Sequence, residues 1–186
     1  MTDTITAGRF RQVLGHYPTG VVVVSAAIPG RRPAALTIGS FSSVSLDPPL
    51  VAFYPDKASS SWPEIREQQR FSINILSAGQ EDLCKQFAKK GSEKFAGVSW
   101  RPADSGSPII DGAAAWLDCE LYDVQEAGDH YLVFGRVVAM DAAPNRPPLL
   151  FFRGEYGSFT PSSQTAETAP EVPGIPTAAG TNEGVA

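Results

Sequence analysis

The sequence predicts a mainly-β domain, a barrel or a sandwich, with a few peripheral helices. Three observations carry this. Short runs rich in branched and aromatic side chains recur along the chain, proline and glycine turns separate them, and only three stretches show helical spacing. At 186 residues and 42% hydrophobic content the chain can bury one good core, so a single domain is expected over residues 1–159.

Taken in order, Phe10, Val13, Leu14 and Tyr17 fall on one face of a short N-terminal helix, expected to pack on the core. Pro18-Thr19-Gly20 stops it. Val21 to Ala27 is a buried strand. Pro29-Gly30 makes a hairpin turn whose Arg31 and Arg32 read as a solvated tip. Ala34 to Thr37 starts the returning strand, and Leu50 to Tyr54 is the next. Ser61 and Glu64 have capping-box spacing, with Pro63 in the first turn of a helix running to about Gln69. Phe71 to Leu76 alternates as a half-buried strand. Ser77 and Gln80 form a second capping box, opening a helix with Leu83, Cys84 and Phe87 on one face. Pro108 to Gly112 reads as a turn. Trp116 to Val124 alternates, with Leu117, Cys119 and Leu121 inward and Asp118, Glu120 and Tyr122 outward; Tyr131 to Met140 is a long apolar strand, and Leu149 to Phe152 a last short one. From residue 160 the composition of Pro, Ala, Thr, Gly and Glu has no periodicity, and residues 160–186 are expected to be a disordered tail.

One stretch stands apart. Thr37 to Val51 is rich in hydroxyls, holds one glycine and an Asp47-Pro48-Pro49 turn, and is nearly free of charge. Proline excludes helix there, so the segment reads as strand, hydroxyl-lined bend, rigid turn, strand. Phe41, Val44 and Leu46 predict that the bend is packed. Small polar residues let backbone approach a ligand and offer donors.

The pattern Thr37-x-x-Ser40-Phe41-x-Ser43-Val44-Ser45-Leu46-Asp47-Pro48-Pro49-Leu50-Val51 resembles that of the flavin reductase-like, FMN-binding split-barrel proteins, the small reductase components of two-component flavin monooxygenases. Many members carry asparagine where this chain has Gly39. The resemblance implies a split β-barrel and a homodimer with flavin near the subunit interface. It further implies that Thr37, Ile38, Gly39, Ser40 and Ser45 line the isoalloxazine and that Phe53 and Tyr54 flank it. Lys57, Ser59, Ser61 and Trp62 would hold the phosphate end.

Residues 57–61 support this independently in part. A lysine and three serines just before a helix N-terminus supply donors for a phosphate, although such a segment alone is more often a capped turn. Lys94-Phe95, in a charged loop, is a weaker signal; in the resembling proteins that region reaches the nucleotide. Gly128-Asp129-His130 is ordinarily a turn between strands. It matches the family's Gly-Asp-His motif, which implies nicotinamide binding by the histidine.

The function expected is NAD(P)H:flavin oxidoreductase, with FMN or FAD reduced by NADH or NADPH. Diffusible reduced flavin would serve a separate oxygenase. Hydride passes directly between cofactors, so no acid–base dyad is needed. The alternatives are a non-enzymatic flavin carrier or sensor, or a flavin-dependent oxidase of the same fold. A net charge of −5 argues against a nucleic-acid partner. No G-x-G-x-x-G, P-loop or H-E-x-x-H occurs, and two histidines with Cys84 and Cys119 give no metal set. With no apolar run of membrane length and no signal core, a cytoplasmic protein with reduced thiols and no membrane partner is expected.

Overall fold

The computed structural model describes residues 5–162 apart from 90 and 92. Its elements are α1 (Ala7–Leu14), β1 (Thr19–Gly20), β2 (Val22–Ala26), β3 (Ala34–Ile38), β4 (Phe41–Leu46), β5 (Pro49–Phe53), α2 (Trp62–Glu67), β6 (Arg70–Ile75), α3 (Glu81–Ala88), β7 (Trp100–Pro102), β8 (Pro108–Ile110), β9 (Ala115–Ala127), β10 (His130–Ala142), β11 (Leu149–Phe152) and β12 (Glu155–Ser158). Seven strands form one antiparallel sheet in the order β3-β2-β6-β9-β10-β5-β4.

The two edge strands of that sheet, β3 and β4, are consecutive in the chain and joined only by Gly39 and Ser40. Three residue steps span at most about 11 Å. The sheet must therefore curl until its edges nearly meet, which makes a barrel, split where the hydroxyl-rich stretch begins. The choice between sandwich and barrel is thus decided by connectivity.

Strand β2 is buried on both faces, which explains its unbroken run of valines. Val22 and Val24 join Phe53, Trp62, Phe71, Ile73, Cys119 and Val133 in the barrel interior. Val21 and Val23 join Cys84 and Phe87 of α3, Phe95 and Leu149 in an outer layer. Gly135 lies where β10 crosses Phe71. A Cβ there would sit 2.9 Å from the ring, so the long strand needs glycine at that crossing.

Several expectations change. Helix α1 forms, capped by the Thr6 hydroxyl accepting from the Arg9 amide at 3.2 Å, but none of its residues is buried. Phe10, Val13, Leu14 and Tyr17 are 48–73% exposed, and none of them belongs to either buried cluster. The bend after Gly39-Ser40 is itself a strand, β4, and Val44 and Leu46 face outward at 47% and 95% exposure. The segment expected as a turn at Pro108 is strand β8. The Asn74 amide holds it by donating to the Pro108 carbonyl at 3.0 Å and accepting from the Ile110 amide at 2.8 Å, as a neighbouring strand would. Asp118 is buried, not outward, because Ser105 donates to it through both hydroxyl (2.6 Å) and amide (3.2 Å). The second capping box is present, with the Ser77 amide donating to Gln80 Oε1 at 3.0 Å. Both cysteines are free and buried; burial pushes the Cys119 thiol up to about 12, which suits a core residue and not a nucleophile. Of the expected tail, residues 163–186 lie outside the described residues.

Candidate active site

The split in the barrel opens onto a cavity of about 520 Å³, within the range of small-molecule sites. Its wall comes from five places. The end of β3 and the bend give Leu36, Thr37, Ile38, Gly39 and Ser40. Tyr54, Asp56, Ala58, Ser59, Ser60 and Ser61 come from the turn after β5. Phe87, Ala88 and Lys89 close it from the end of α3, and Lys94 and His130 complete it.

Each group is held by a specific contact. The Thr37 hydroxyl donates to the Cys84 carbonyl at 3.4 Å, and the Ser40 hydroxyl to the Tyr54 carbonyl at 3.3 Å. Gly39 has no side chain to intrude, and a Cβ there would press on the Thr19 hydroxyl at 3.2 Å. The serine turn is shaped by Asp56, whose carboxylate accepts from the Ala58 amide at 2.7 Å and whose carbonyl accepts from the Ser59 amide at 3.0 Å.

The cap of α2 is not the one its spacing predicts. Ser59, not Ser61, accepts from the Trp62 amide, at 3.2 Å. Ser61 has helical backbone angles, and its hydroxyl instead accepts from Lys94 Nζ at 3.1 Å. Lys94 also donates to the Ala35 carbonyl at 2.8 Å and has no carboxylate partner among the described residues. Burial lowers its pKa below the ordinary lysine value. A half-buried ammonium bonded to Ser61, in a cavity that Ser59 and Ser60 also line, and with no carboxylate partner among the described residues, is a donor set suited to a phosphate.

His130 opens β10 after a two-residue turn, where Gly128 takes a φ of +64° that glycine adopts without strain. Its Nδ1 lies 2.7 Å from the Asp129 carboxylate. The hydrogen bond from His130 holds the Asp129 carboxyl below its usual range. With Nδ1 so engaged, Nε2 is the ring nitrogen left for a ligand.

Not every expected residue reaches this cavity. Phe53, Trp62 and Phe95 are buried behind its wall, at 0%, 2% and 7% exposure; Phe53 packs on Trp62 at 5.7 Å, and Phe95 on Phe87 at 5.0 Å. The Lys57 ammonium turns to Glu126 at 2.8 Å and lies over the Tyr131 ring. Gly128 and Asp129 stand behind His130. Ser45 lies on a different surface, an apolar groove of about 560 Å³ with Phe41, Leu46, Trp116 and Met140. Conversely, the end of α3 lines the cavity without a signal in the sequence. Phe87 read as core from its helical spacing, and nothing local marks Ala88 or Lys89 as cavity wall.

Residues 14–160 match the model of the flavin reductase-like domain. The chain belongs to that family. This flavin reductase-like chain is 52% identical over 150 residues to a flavin reductase of Pseudomonas putida, covering 81% of this chain and 88% of that one. It is 41% identical over 167 residues to the reductase subunit HsaB of a flavin-dependent monooxygenase from Mycobacterium tuberculosis, covering 89% of each. Among solved structures it is similar to the NADH:FAD oxidoreductase SgcE6 of Streptomyces globisporus, with a TM-score of 0.80, 35% identity, and coverage of 87% of this chain and 98% of that one.

Proposed function

We propose that this chain is an NAD(P)H:flavin oxidoreductase that hands reduced flavin to a separate monooxygenase component. The observation that carries the reading is that one cavity joins the hydroxyl bend Thr37–Ser40, the serine turn with Lys94, and His130. Its donor set fits a flavin. Lys94, Ser59, Ser60 and Ser61 would hold the phosphate, and Gly39 and Ser40 present backbone and a hydroxyl to the ring. His130 Nε2 would hold a nicotinamide carboxamide or pyrophosphate oxygen.

The flavin, when bound, supplies the hydride acceptor. The protein's share is to hold two rings at close range and exclude water from between them. No side chain needs to move a proton for this. The names of the relatives, reductases and monooxygenase reductase subunits, support the same assignment.

A homodimer is part of the proposal. The apolar groove beside β4, with Leu46 95% and Met140 71% exposed, is an expanse that a second copy would cover. No described helix is long and apolar enough to cross a membrane. The test of the activity is the loss of nicotinamide absorbance when the purified chain receives NADH or NADPH with FMN or FAD. Rapid, flavin-dependent oxidation is expected; none with any pair would refute the reading.

A further inference from the structure

Beyond Lys94 the structure holds a second cavity, of about 320 Å³, that shares Ser61 and Lys94 with the first. Its other charged walls are Arg31 and Arg32, from the β2–β3 hairpin, and Glu64 and Glu93. The sequence gives the two arginines no role beyond a solvated tip. The fold brings them to the far side of the proposed phosphate donors.

We infer that this second cavity is the subsite for the adenylate half of a dinucleotide flavin, and that the chain prefers FAD to FMN through Arg31 and Arg32. The inference rests on reading the first cavity as the flavin site. In FAD the adenylate is joined to the phosphate that FMN also carries. If Lys94 and Ser61 hold that phosphate, the added phosphate and adenosine must leave from the same donors, and the second cavity begins there. His130 lines the first cavity and not the second, so the nicotinamide end lies elsewhere.

The charges fit. Among the described lining residues three cations face two carboxylates, leaving one positive charge in excess for the added phosphate. Arg31 pairs with Glu64 at 3.2 Å and Arg32 with Glu93 at 2.6 Å, and all four side chains are 42–68% exposed. Exposed pairs of this kind are weak, so a guanidinium is free to exchange its carboxylate for a phosphate or to stack on adenine.

The test uses the full chain and the double variant Arg31→Gln/Arg32→Gln, titrated with FMN and with FAD, with KM measured for NADH and NADPH. Wild type is expected to bind FAD several-fold tighter than FMN. The variant should lose roughly tenfold in FAD affinity, the scale of one charged hydrogen bond, and keep its FMN affinity. Retained FMN binding also shows that the variant is folded. Equal wild-type affinities, or a preference for FMN, would overturn the inference and leave the flavin site standing. So would an unchanged FAD affinity in the variant, or a raised nicotinamide KM with FAD binding intact, which would assign the cavity to the other dinucleotide. Binding of neither flavin by wild type would overturn both readings.

Discussion

The cleft at the split and the groove beside β4 are nearly equal in volume, about 520 and 560 Å³, and one stretch of chain walls both. Leu36 to Ser40 faces the cleft; Phe41, Ser43, Ser45 and Leu46 face the groove. The cleft is lined by hydroxyls, Gly39, Asp56, His130 and two lysines, of which Lys94 has no carboxylate partner among the described residues. The groove is lined by Phe41, Leu50, Trp116, Val137 and Met140. The two-residue bend that carries the chain from one edge of the barrel to the other also separates a surface built for a polar ligand from one built for apolar contact. Similar volume and shared chain say little about role; the polar atoms on the wall decide it.

The largest effect should come from the strand beneath both surfaces. Phe53 is fully buried against Trp62 and Phe71, and its partner across β4 is Phe41. Phe53→Ala should lower unfolding free energy by about 3–5 kcal/mol in denaturant titration, so that ligand binding and association weaken together. A stable Phe53→Ala with only flavin affinity lost would make the ring a ligand contact instead of a core residue.

Next, the groove alone can be broken. Leu46→Asp with Met140→Asp places carboxylates on the surface proposed to meet a second copy. Association should weaken roughly a hundredfold or more, visible by light scattering across a concentration series. Unchanged association would move the interface elsewhere, for instance to the exposed face of α1.

The cleft can then be probed by pH. Lys94 must be protonated to bind a phosphate, and burial sets its pKa below the ordinary lysine value of 10.5. Flavin affinity should therefore be full near neutrality and fall as pH rises through that lowered value, earlier than an exposed lysine would allow. The loss should be roughly tenfold. Lys94→Arg keeps its charge and should abolish the fall. A wild-type affinity with the same pH profile as that of Lys94→Arg would remove Lys94 from the phosphate site.

The smallest effect sharpens the contrast. Ser45→Ala should change flavin affinity by less than about twofold, since its hydroxyl lies in the groove and no hydrogen bond to flavin is lost.

Ser45 also marks where the sequence stops being legible. Composition and proline placement identified the stretch and its strands. They could not show that β4 is an edge strand whose Phe41, Ser43 and Ser45 alternate onto a surface away from Thr37. That parity depends on the bend closing the barrel, a long-range fact. The same holds for Ser59 and Ser61. Spacing made Ser61 the cap, but Lys94, far along the chain, takes its hydroxyl and leaves the cap to Ser59. What was legible was local: the β runs, a turn around Gly128-Asp129-His130, the buried faces of α2 and α3. The exposed stripe of α1 was legible as a helix and not as a surface, because amphipathicity does not say which surface covers it.

One cleft is proposed to hold flavin at Lys94 and nicotinamide at His130. The direct measurement is a flavin titration together with the KM for NADH on two single variants, Lys94→Ala and His130→Ala. Lys94→Ala should weaken flavin by roughly ten- to a hundredfold and leave nicotinamide nearly unchanged at saturating flavin. His130→Ala should raise the KM for NADH by roughly two-fold to a hundredfold and leave flavin affinity near wild type. Both variants weakening the same ligand, or neither weakening either, would contradict it.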